Sequence, residues 1–477
     1  LRRAEKSRQF DAKEIDRVRD FLFEVYEDDQ YQMRTRGFAM LSLGLLGDQP
    51  TTRTDKPTTG GGGLYWAPDP IAGGERTTDR IYGELKKKWN DEQLYVVALL
   101  ALSLQPPESV TREMVETLQD CALRARIFKE NINDVTASYA ALALGRVGSA
   151  DDAQTLLNVL KVKQTGQNVK RSAAIALGQL GRRMDGPARA DLAVKLFRSV
   201  EALKEPSAKN FGIMSLAYLI EADVKAERTD IFDAKGVKIS EEILKLADGG
   251  KYSERPYGAL ALGLICREIG DRPSILEYGK YRMEAIKILR KGLSDQSIDK
   301  RARASFAIGL GMLRDDGTTK DLAAIVSDKG EDNELRGYAA VALGMIGSRS
   351  TEVIKAIRDA MGERSSEELR QQTAIALGLI GSKEAVPLLL KELKEAETQN
   401  VQGQIVVALA KIGDAQAIDP LVELLKDTSK PDLTRALSCA GLGLIGDLEL
   451  IPSLSRISKD INYRAAPDVV NEVLSIL

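Results

Sequence analysis

The side chains that most often do chemistry in proteins are scarce in this sequence. Its 477 residues contain no histidine and only three cysteines, Cys121, Cys266 and Cys439, which form no Cys-x-x-Cys pair. The absence of imidazole excludes Ser–His and Cys–His nucleophile pairs and histidine-ligated zinc, and three cysteines cannot form a four-cysteine metal site. Carboxylates, lysine, tyrosine and cysteine can also transfer protons, but no convergent set of them stands out. We predict no catalytic residue, no metal site, no cofactor and no enzymatic activity.

The glycine run at residues 60–63 is the one segment that could cradle a phosphate. A phosphate-binding loop continues with Gly-Lys-Ser/Thr, whose lysine and hydroxyl contact phosphate and Mg²⁺. No such continuation follows here. The run lies in a stretch rich in Gly, Pro and Thr, residues 49–80, which has no periodicity and predicts an irregular insertion.

Overall charge argues against a nucleic-acid partner. The chain has 68 Lys and Arg against 70 Asp and Glu, a net charge of −2, whereas binding to a phosphate backbone needs concentrated positive charge. No apolar run reaches the roughly 18 residues of a membrane-spanning helix, and no signal peptide is visible. We expect a soluble protein. The compartment stays open, because a signal peptide could have been removed.

One motif recurs along the chain, with Arg336-Gly-Tyr-Ala-Ala-Val-Ala-Leu-Gly344 as a clear copy. We call its last residue the marker position. Markers at 311, 344, 378, 410 and 443 follow one another at steps of 33, 34, 32 and 33 residues, and each step also holds a second amphipathic segment. Two short helices per repeat of this length are typical of an α-solenoid. We predict an all-α solenoid over residues 1–477, a superhelix of about eleven stacked antiparallel helix pairs.

The motif V/L-R-x-x-A-A-x-A-L-G-x-I-G resembles HEAT repeats, in particular the bilin-lyase (PBS-lyase) HEAT-like type. The resemblance covers roughly residues 30–477. It implies helix pairs stacked into a superhelix, with the second helix of each pair lining the concave face.

The residue eight places before the marker is basic in most copies of the motif. Acidic residues often lie three or four places earlier still, and the resemblance implies that such residues form an Asp–Arg ladder between successive repeats. We therefore favour a structural ladder over a basic stripe that binds an acidic partner. Its predicted members are Arg36, Lys170, Arg255, Arg303, Arg336, Arg370, Arg435, Asp299, Asp332, Glu367 and Asp432.

The residue six places before the marker predicts the surface that faces a partner. If the second helices line the concave face, these side chains point towards it, although burial between helices is an equal alternative. The candidates are Phe38, Tyr139, Tyr257, Tyr338, Gln372 and Gln404.

Departures from the repeat give further candidates. Both tryptophans, Trp66 and Trp89, fall in or beside the insertion 49–80, and Tyr65 precedes the first of them. Exposed Trp and Tyr are typical interface anchors, but they could equally fold back onto the first helices. Residues 221–240 and 271–283 predict longer connections between helices, which could bind a partner or serve no function.

The last residues, 469–477, are apolar, whereas solenoids normally finish with a polar face. This predicts end-on association with a partner or a second copy. Taken together, the sequence favours a non-catalytic scaffold or assembly subunit that binds protein through its concave face, its insertion loops and its ends. The alternatives are a bilin lyase-like enzyme or chaperone and a HEAT-like nucleic-acid-binding protein.

Overall fold

A computed structural model describes residues 12–47, 76–232, 236–270, 276–363, 366–396 and 398–446. These residues form 22 α-helices, arranged as eleven consecutive pairs, which confirms the predicted all-α solenoid. The second helix of each pair contains the recurring motif or a weaker copy of it. We call these the motif helices and the first helices of the pairs the companion helices.

The eleven companion helices are α1 (Ala12–Glu27), α3 (Thr77–Lys86), α5 (Arg112–Arg124), α7 (Ala153–Lys161), α9 (Gly186–Ala202), α11 (Ile239–Gly249), α13 (Leu276–Ser294), α15 (Thr319–Ser327), α17 (Thr351–Met361), α19 (Val386–Glu395) and α21 (Ile418–Lys426). The motif helices are α2 (Met33–Leu46), α4 (Gln93–Ser103), α6 (Asp134–Val147), α8 (Gln167–Gly181), α10 (Pro206–Lys225), α12 (Arg255–Gly270), α14 (Lys300–Met312), α16 (Asn333–Ile346), α18 (Glu367–Ile380), α20 (Gln399–Ile412) and α22 (Asp432–Gly446).

The helices group into two compact units, divided within α10 after Leu219. In the first unit, α2, α4, α6 and α8 pack one against the next, as do the companion helices α5, α7 and α9. In the second unit, the motif helices from α12 to α22 pack in the same consecutive manner, and α11 contacts α13 while α15 contacts α17. Each unit is therefore built from two layers of helices.

Successive motif helices approach each other most closely at the marker position. A Cβ atom added to Gly145 would lie 2.5 Å from Cα of Ala176, and one added to Gly311 would lie 2.7 Å from Cα of Ala342. In both cases the opposing residue lies two places before the next marker. The same relation holds at the markers Gly44, Gly178, Gly263, Gly344 and Gly378. Glycine opposite a small residue lets the two backbones touch, which explains why the motif is rich in alanine.

Polar side chains define where several motif helices begin. Asn133 accepts a hydrogen bond from the backbone N–H of Thr136 at 2.9 Å, and Asp332 accepts one from Glu334 at 3.0 Å. These side chains satisfy N–H groups that the first helical turn leaves unpaired. In these motif helices the residue before the first turn therefore helps to fix where the helix begins.

Three features of the described residues differ from a uniform repeat. A small antiparallel hairpin pairs Arg126–Ile127 with Glu130–Asn131, where the sequence shows no strand alternation. Helices α12 and α13 are 16 and 19 residues long, and they account for much of the long interval between markers 263 and 311. The structure also places parts of the three predicted irregular segments in helices. These parts are residues 77–80, 221–225 and 276–283.

None of the helices in the described ranges combines the length and apolar character that crossing a membrane requires.

The close contact at the marker gives a first prediction. Gly311→Ala should destabilise the protein by about 1–3 kcal/mol, because the new methyl group overlaps the α16 backbone. Gly279→Ala is the matched control in α13, since a Cβ there meets nothing within 4 Å; it should be neutral or stabilise by about 0.5–1 kcal/mol. Urea unfolding followed by circular dichroism measures both changes, and equal effects of the two substitutions would contradict the packing argument.

Thiol reactivity provides a second prediction. Burial raises the pKa of Cys121 and of Cys266 to about 12, whereas Cys439 is exposed. Because the thiolate is the reactive species, Ellman's reagent should rapidly modify Cys439 alone in the native protein and all three cysteines in denaturant. A native Cys439→Ser variant that still reacted rapidly would show that a helix pair opens more readily than this packing allows.

Candidate protein-interaction surface

Five of the seven basic residues eight places before the marker donate to a carbonyl group near the end of the companion helix in the same pair. Arg36 Nε donates to the carbonyl oxygen of Tyr26 at 2.7 Å, and Arg303 Nε donates to that of Leu293 at 2.9 Å. Arg336, Arg255 and Arg435 make the equivalent bond to Val326, Ala247 and Leu425. Carbonyl groups at the last turn of a helix lack helical partners, and a cation there also complements the helix dipole. The predicted ladder is thus first a helix-capping device.

The acidic partners of the ladder are mostly not those that the sequence predicts. Of the four predicted acids, Asp432 pairs with a ladder residue, Arg435, at 3.3 Å. Asp299 and Asp332 instead cap the starts of α14 and α16. Glu367 lies in the first turn of α18 and pairs with no ladder residue among the described residues. The prediction is wrong at these three positions, because the arginine side chains extend away from the acids on their own helix.

The observed partners are glutamates further along the chain. Lys170 pairs with Glu205 at 2.8 Å, Arg303 with Glu331 at 2.9 Å, Arg336 with Glu363 at 2.8 Å and Arg370 with Glu392 at 2.7 Å. Each glutamate belongs to the next helix pair and lies in its companion helix or in the turn between its two helices. The ladder therefore joins neighbouring pairs, as predicted, but through different carboxylates.

Arg336 shows how completely this position is enclosed. Arg336 is 1% exposed. Its guanidinium donates to the carbonyl oxygen of Val326, to Asn333 Oδ1 and to both carboxylate oxygens of Glu363. These hydrogen bonds hold the pKa of Glu363 below its usual value. All seven basic ladder residues are buried or half-buried. They do not form an exposed basic stripe.

The residues six places before the marker divide by position along the chain. Phe38 in α2 is 63% exposed, and Tyr139 in α6 and Gln404 in α20 are half-buried. The remaining three candidates are buried: Tyr257, Tyr338 and Gln372. For these three residues, the alternative prediction of burial between helices holds. A partner could therefore contact the side chains six places before the marker only in the first helix pairs and the last helix pairs.

An apolar surface surrounds the exposed members in the first unit. On α2, Phe38 lies one and two turns before Leu41 and Leu45, and Leu45 is 43% exposed. We call this surface, which continues in the same register on the next two motif helices, the apolar stripe. Its residues are Phe38, Leu41, Leu45, Val97, Leu100, Val135, Tyr139 and Leu142.

The helices of the apolar stripe are held in contact. A shallow cavity of about 390 Å³ between α2 and α4 is lined by Met33, Gly37, Gln93 and Val97. Helix α4 also packs on α6. Because the stripe residues occupy equivalent positions on three helices that pack in sequence, they share one side of the motif layer. Reading only the position six before the marker misses most of the stripe. Its sequence signal is that the position three before the marker is also apolar in all three pairs, and the position one after it is apolar in the first two.

Trp89 contributes to packing between the first two pairs. Its indole Nε1 donates to the carbonyl oxygen of Glu84 at 2.9 Å, and its ring meets the edge of the Tyr26 ring with centroids 5.5 Å apart. The Arg36 guanidinium lies 5.4 Å from the indole centroid. Half-buried Trp89 therefore folds back onto the first helices. Tyr65, Trp66 and the apolar residues 469–477 lie outside the described residues.

Metal-ligating side chains do not cluster within the described residues. No cluster of three or more His, Cys, Asp or Glu side chains there has the spacing of a metal site. The buried Glu221 is held by Lys225 at 3.1 Å and by Arg267 at 2.9 Å, an arrangement that serves packing in the second unit.

Comparison with protein families identifies the repeat. Residues 286–378, 329–402, 354–443 and 386–468 match the family described as HEAT repeats. HEAT repeats are thus found within residues 286–468, which supports the predicted resemblance to HEAT repeats there. The finer likeness to bilin lyases stays a prediction.

Solved structures similar to this chain include three of different kinds. An engineered protein is 17% identical with a TM-score of 0.32, the match covering 90% of this chain and 99% of that protein. Human deoxyhypusine hydroxylase in complex with glycerol is 18% identical with a TM-score of 0.25, covering 63% and 98%. Kap121p is 13% identical with a TM-score of 0.36, covering 99% of this chain and 54% of Kap121p. Values this low carry no inference about partner or activity. Among the curated proteins, none matches the sequence.

The ladder gives a third prediction. Arg336→Leu should destabilise the protein by about 3 kcal/mol, because it breaks a buried ion pair and leaves a carbonyl group and Glu363 without their donor. Arg435→Leu is the matched control at the same repeat position. Its partner Asp432 is fully exposed, so breaking the Arg435–Asp432 pair should cost much less than breaking the Arg336–Glu363 pair. Urea unfolding of both variants measures the difference.

The same pair predicts a pH dependence. The folded-state pKa of Glu363 is lowered, so the pair contributes fully above the ordinary pKa of glutamate, and its contribution is lost as the pH falls through the folded-state value. The stability difference between wild type and Arg336→Leu should therefore shrink on acidification. A difference that stayed constant down to pH values below the glutamate range would mean that the ion pair contributes nothing to it.

Proposed function

We propose that this chain is a non-catalytic scaffold or assembly subunit that binds a protein partner through the apolar stripe. The observation that carries the proposal is a set of exposed and half-buried apolar side chains on one face of three adjacent motif helices, with the exposed members on α2 and α6. Phe38 is 63% exposed and Val135 is 51% exposed, although both lie on helices whose other faces are packed. Contiguous exposed apolar surface on a folded protein is typical of an interaction site.

The composition of the stripe suits a protein partner. Phe38 and Tyr139 are aromatic and can anchor in pockets of the partner, while leucine and valine side chains surround them with apolar contact area. Burying such side chains contributes about 25 cal/mol for each Å² removed from water. A repeat scaffold holds the register of these groups fixed, so binding requires little ordering of the chain.

Other parts of the proposal rest on the sequence alone. Tyr65 and Trp66 in the insertion, and self-association through residues 469–477, are further contacts that we propose. The non-catalytic assignment rests on the lack of histidine and of a convergent acid–base set in the sequence.

Substitution of the stripe tests the function. The double variant Phe38→Ser, Tyr139→Ser should lose the partner that the wild-type chain retains in affinity purification from the native source, quantified by mass spectrometry. With the purified partner, its affinity should fall at least about thirtyfold, because aromatic anchors at an interface cost 2 kcal/mol or more on truncation. Isothermal titration calorimetry measures the change.

Phe21→Ser is the matched control, because Phe21 is 57% exposed but lies on companion helix α1. It should bind the partner as the wild type does. Equal binding by all three proteins would place the interface elsewhere. A wild-type chain that enriched no partner would contradict the scaffold function itself.

A further inference from the structure

A second surface of the first unit has a different chemistry from the apolar stripe. It is a groove of about 530 Å³ between companion helices α7 and α9, extending to the turns that lead into α8 and α10. Of its 13 lining residues, six are cationic and one is a carboxylate. We call it the basic groove. Its cations are Lys161, Lys163, Lys170, Lys195, Arg198 and Lys204.

Only part of this positive charge is neutralised by the protein. Lys170 is buried and pairs with Glu205 at 2.8 Å, and Lys195 pairs with Asp191 at 2.8 Å. The other four cations are exposed, and no carboxylate of the described residues forms an ion pair with any of them. These four are Lys161, Lys163, Arg198 and Lys204. In a chain with a net charge of −2, such a concentration of unpaired cations is a local feature.

The floor of the basic groove is apolar. Leu157 and Leu160 of α7 are 3% and 2% exposed, and half-buried Leu203 closes the end of α9. Carboxylates carried on a chain that also presents apolar side chains would match both the rim and the floor. Nucleic acid matches less well, because single strands bind on aromatic rings and no aromatic residue lines the groove.

We propose that the basic groove binds an acidic peptide segment of a partner protein, with leucine-like side chains on the floor and carboxylates against the rim. The proposal rests on the proposed function insofar as it assigns a protein partner, but it uses residues separate from the apolar stripe. Lysine suits this role because its ammonium group is a mobile point charge that can follow a carboxylate, whereas the planar fork of arginine matches one fixed geometry.

The location also explains why the groove cations can remain unpaired. Lys161 is the last residue of α7, and Lys163 and Lys204 lie just beyond the ends of α7 and α9. Cations near the C-terminal end of a helix are stabilised by its dipole without a carboxylate partner. If this were their whole role, the groove would bind no peptide. The experiment below distinguishes the two roles.

Fluorescence anisotropy with the full chain and labelled synthetic peptides tests the proposal. The probe is a short peptide of glutamate, aspartate and leucine. One twin replaces its acids by glutamine and asparagine, and a second twin replaces its leucines by serine. The acidic leucine peptide should bind more tightly than either twin, and added salt should weaken its binding, because exposed charges are screened.

Lys163→Gln, Lys204→Gln should reduce the affinity for the acidic leucine peptide about three- to tenfold, the loss expected for two exposed ion pairs. The control, Lys88→Gln, Lys129→Gln, removes the same charge from exposed positions outside the groove and should leave the affinity unchanged. Equal loss in both double variants would show that net charge alone drives binding and would overturn the site assignment.

Three other results would overturn the proposal: no binding of the acidic leucine peptide, equal binding of either twin, or tighter binding of a single-stranded oligonucleotide of the same charge. The two proposals fail separately. The double variant Phe38→Ser, Tyr139→Ser should bind the peptide as the wild type does. A wild-type chain that retained its native partner but did not bind the peptide would overturn the basic-groove proposal alone.

Discussion

The backbone contact between successive motif helices is the constraint on which the rest of this structure depends. At each described contact a marker glycine lies against a small residue two places before the next marker, as with Gly311 and Ala342. A side chain at the glycine position, or a large one at the opposing position, would force the helices apart and break the register of the layers. The motif therefore needs small residues where its helix contacts the neighbouring motif helix, and large aromatic residues are confined to other positions. The same contact fixes which side chains of neighbouring helices share a face, and so it creates the apolar stripe.

Charge in this fold is used mainly to close the ends of helices. Five ladder residues donate to carbonyl groups at the ends of companion helices. Four ladder residues pair with a glutamate of the next pair, and Arg303 and Arg336 make both contacts. Because a buried guanidinium is costly without pairing, the ladder residues stabilise the fold and are not available to bind a partner. Positive charge that is available for binding lies elsewhere, at exposed positions such as Lys163 and Lys204.

The fold could be predicted from the sequence because the same pattern of residue types and spacing recurs in successive helix pairs. The helix pairs, their number and the ladder position all follow from spacing. The acidic partners do not, since spacing within one helix cannot show that Arg303 reaches Glu331 in the turn before the next motif helix. Burial of Tyr257 and Tyr338 could not be predicted either, because exposure at equal repeat positions depends on what packs over each pair. The basic groove draws residues from three helices and two turns, so no single motif marks it.

The ladder also has a consequence for how the chain folds. The four ion pairs that join neighbouring helix pairs connect residues only 22 to 35 positions apart, in both the first and the second unit. The entropy lost in closing each such loop depends on that short separation and not on total length. Each helix pair can therefore form on its neighbour at a similar cost, and a folding chain never has to bring distant segments together before stabilising contacts appear. Duplication of a pair would add length without slowing the search for the native state, which makes this architecture easy to extend in evolution.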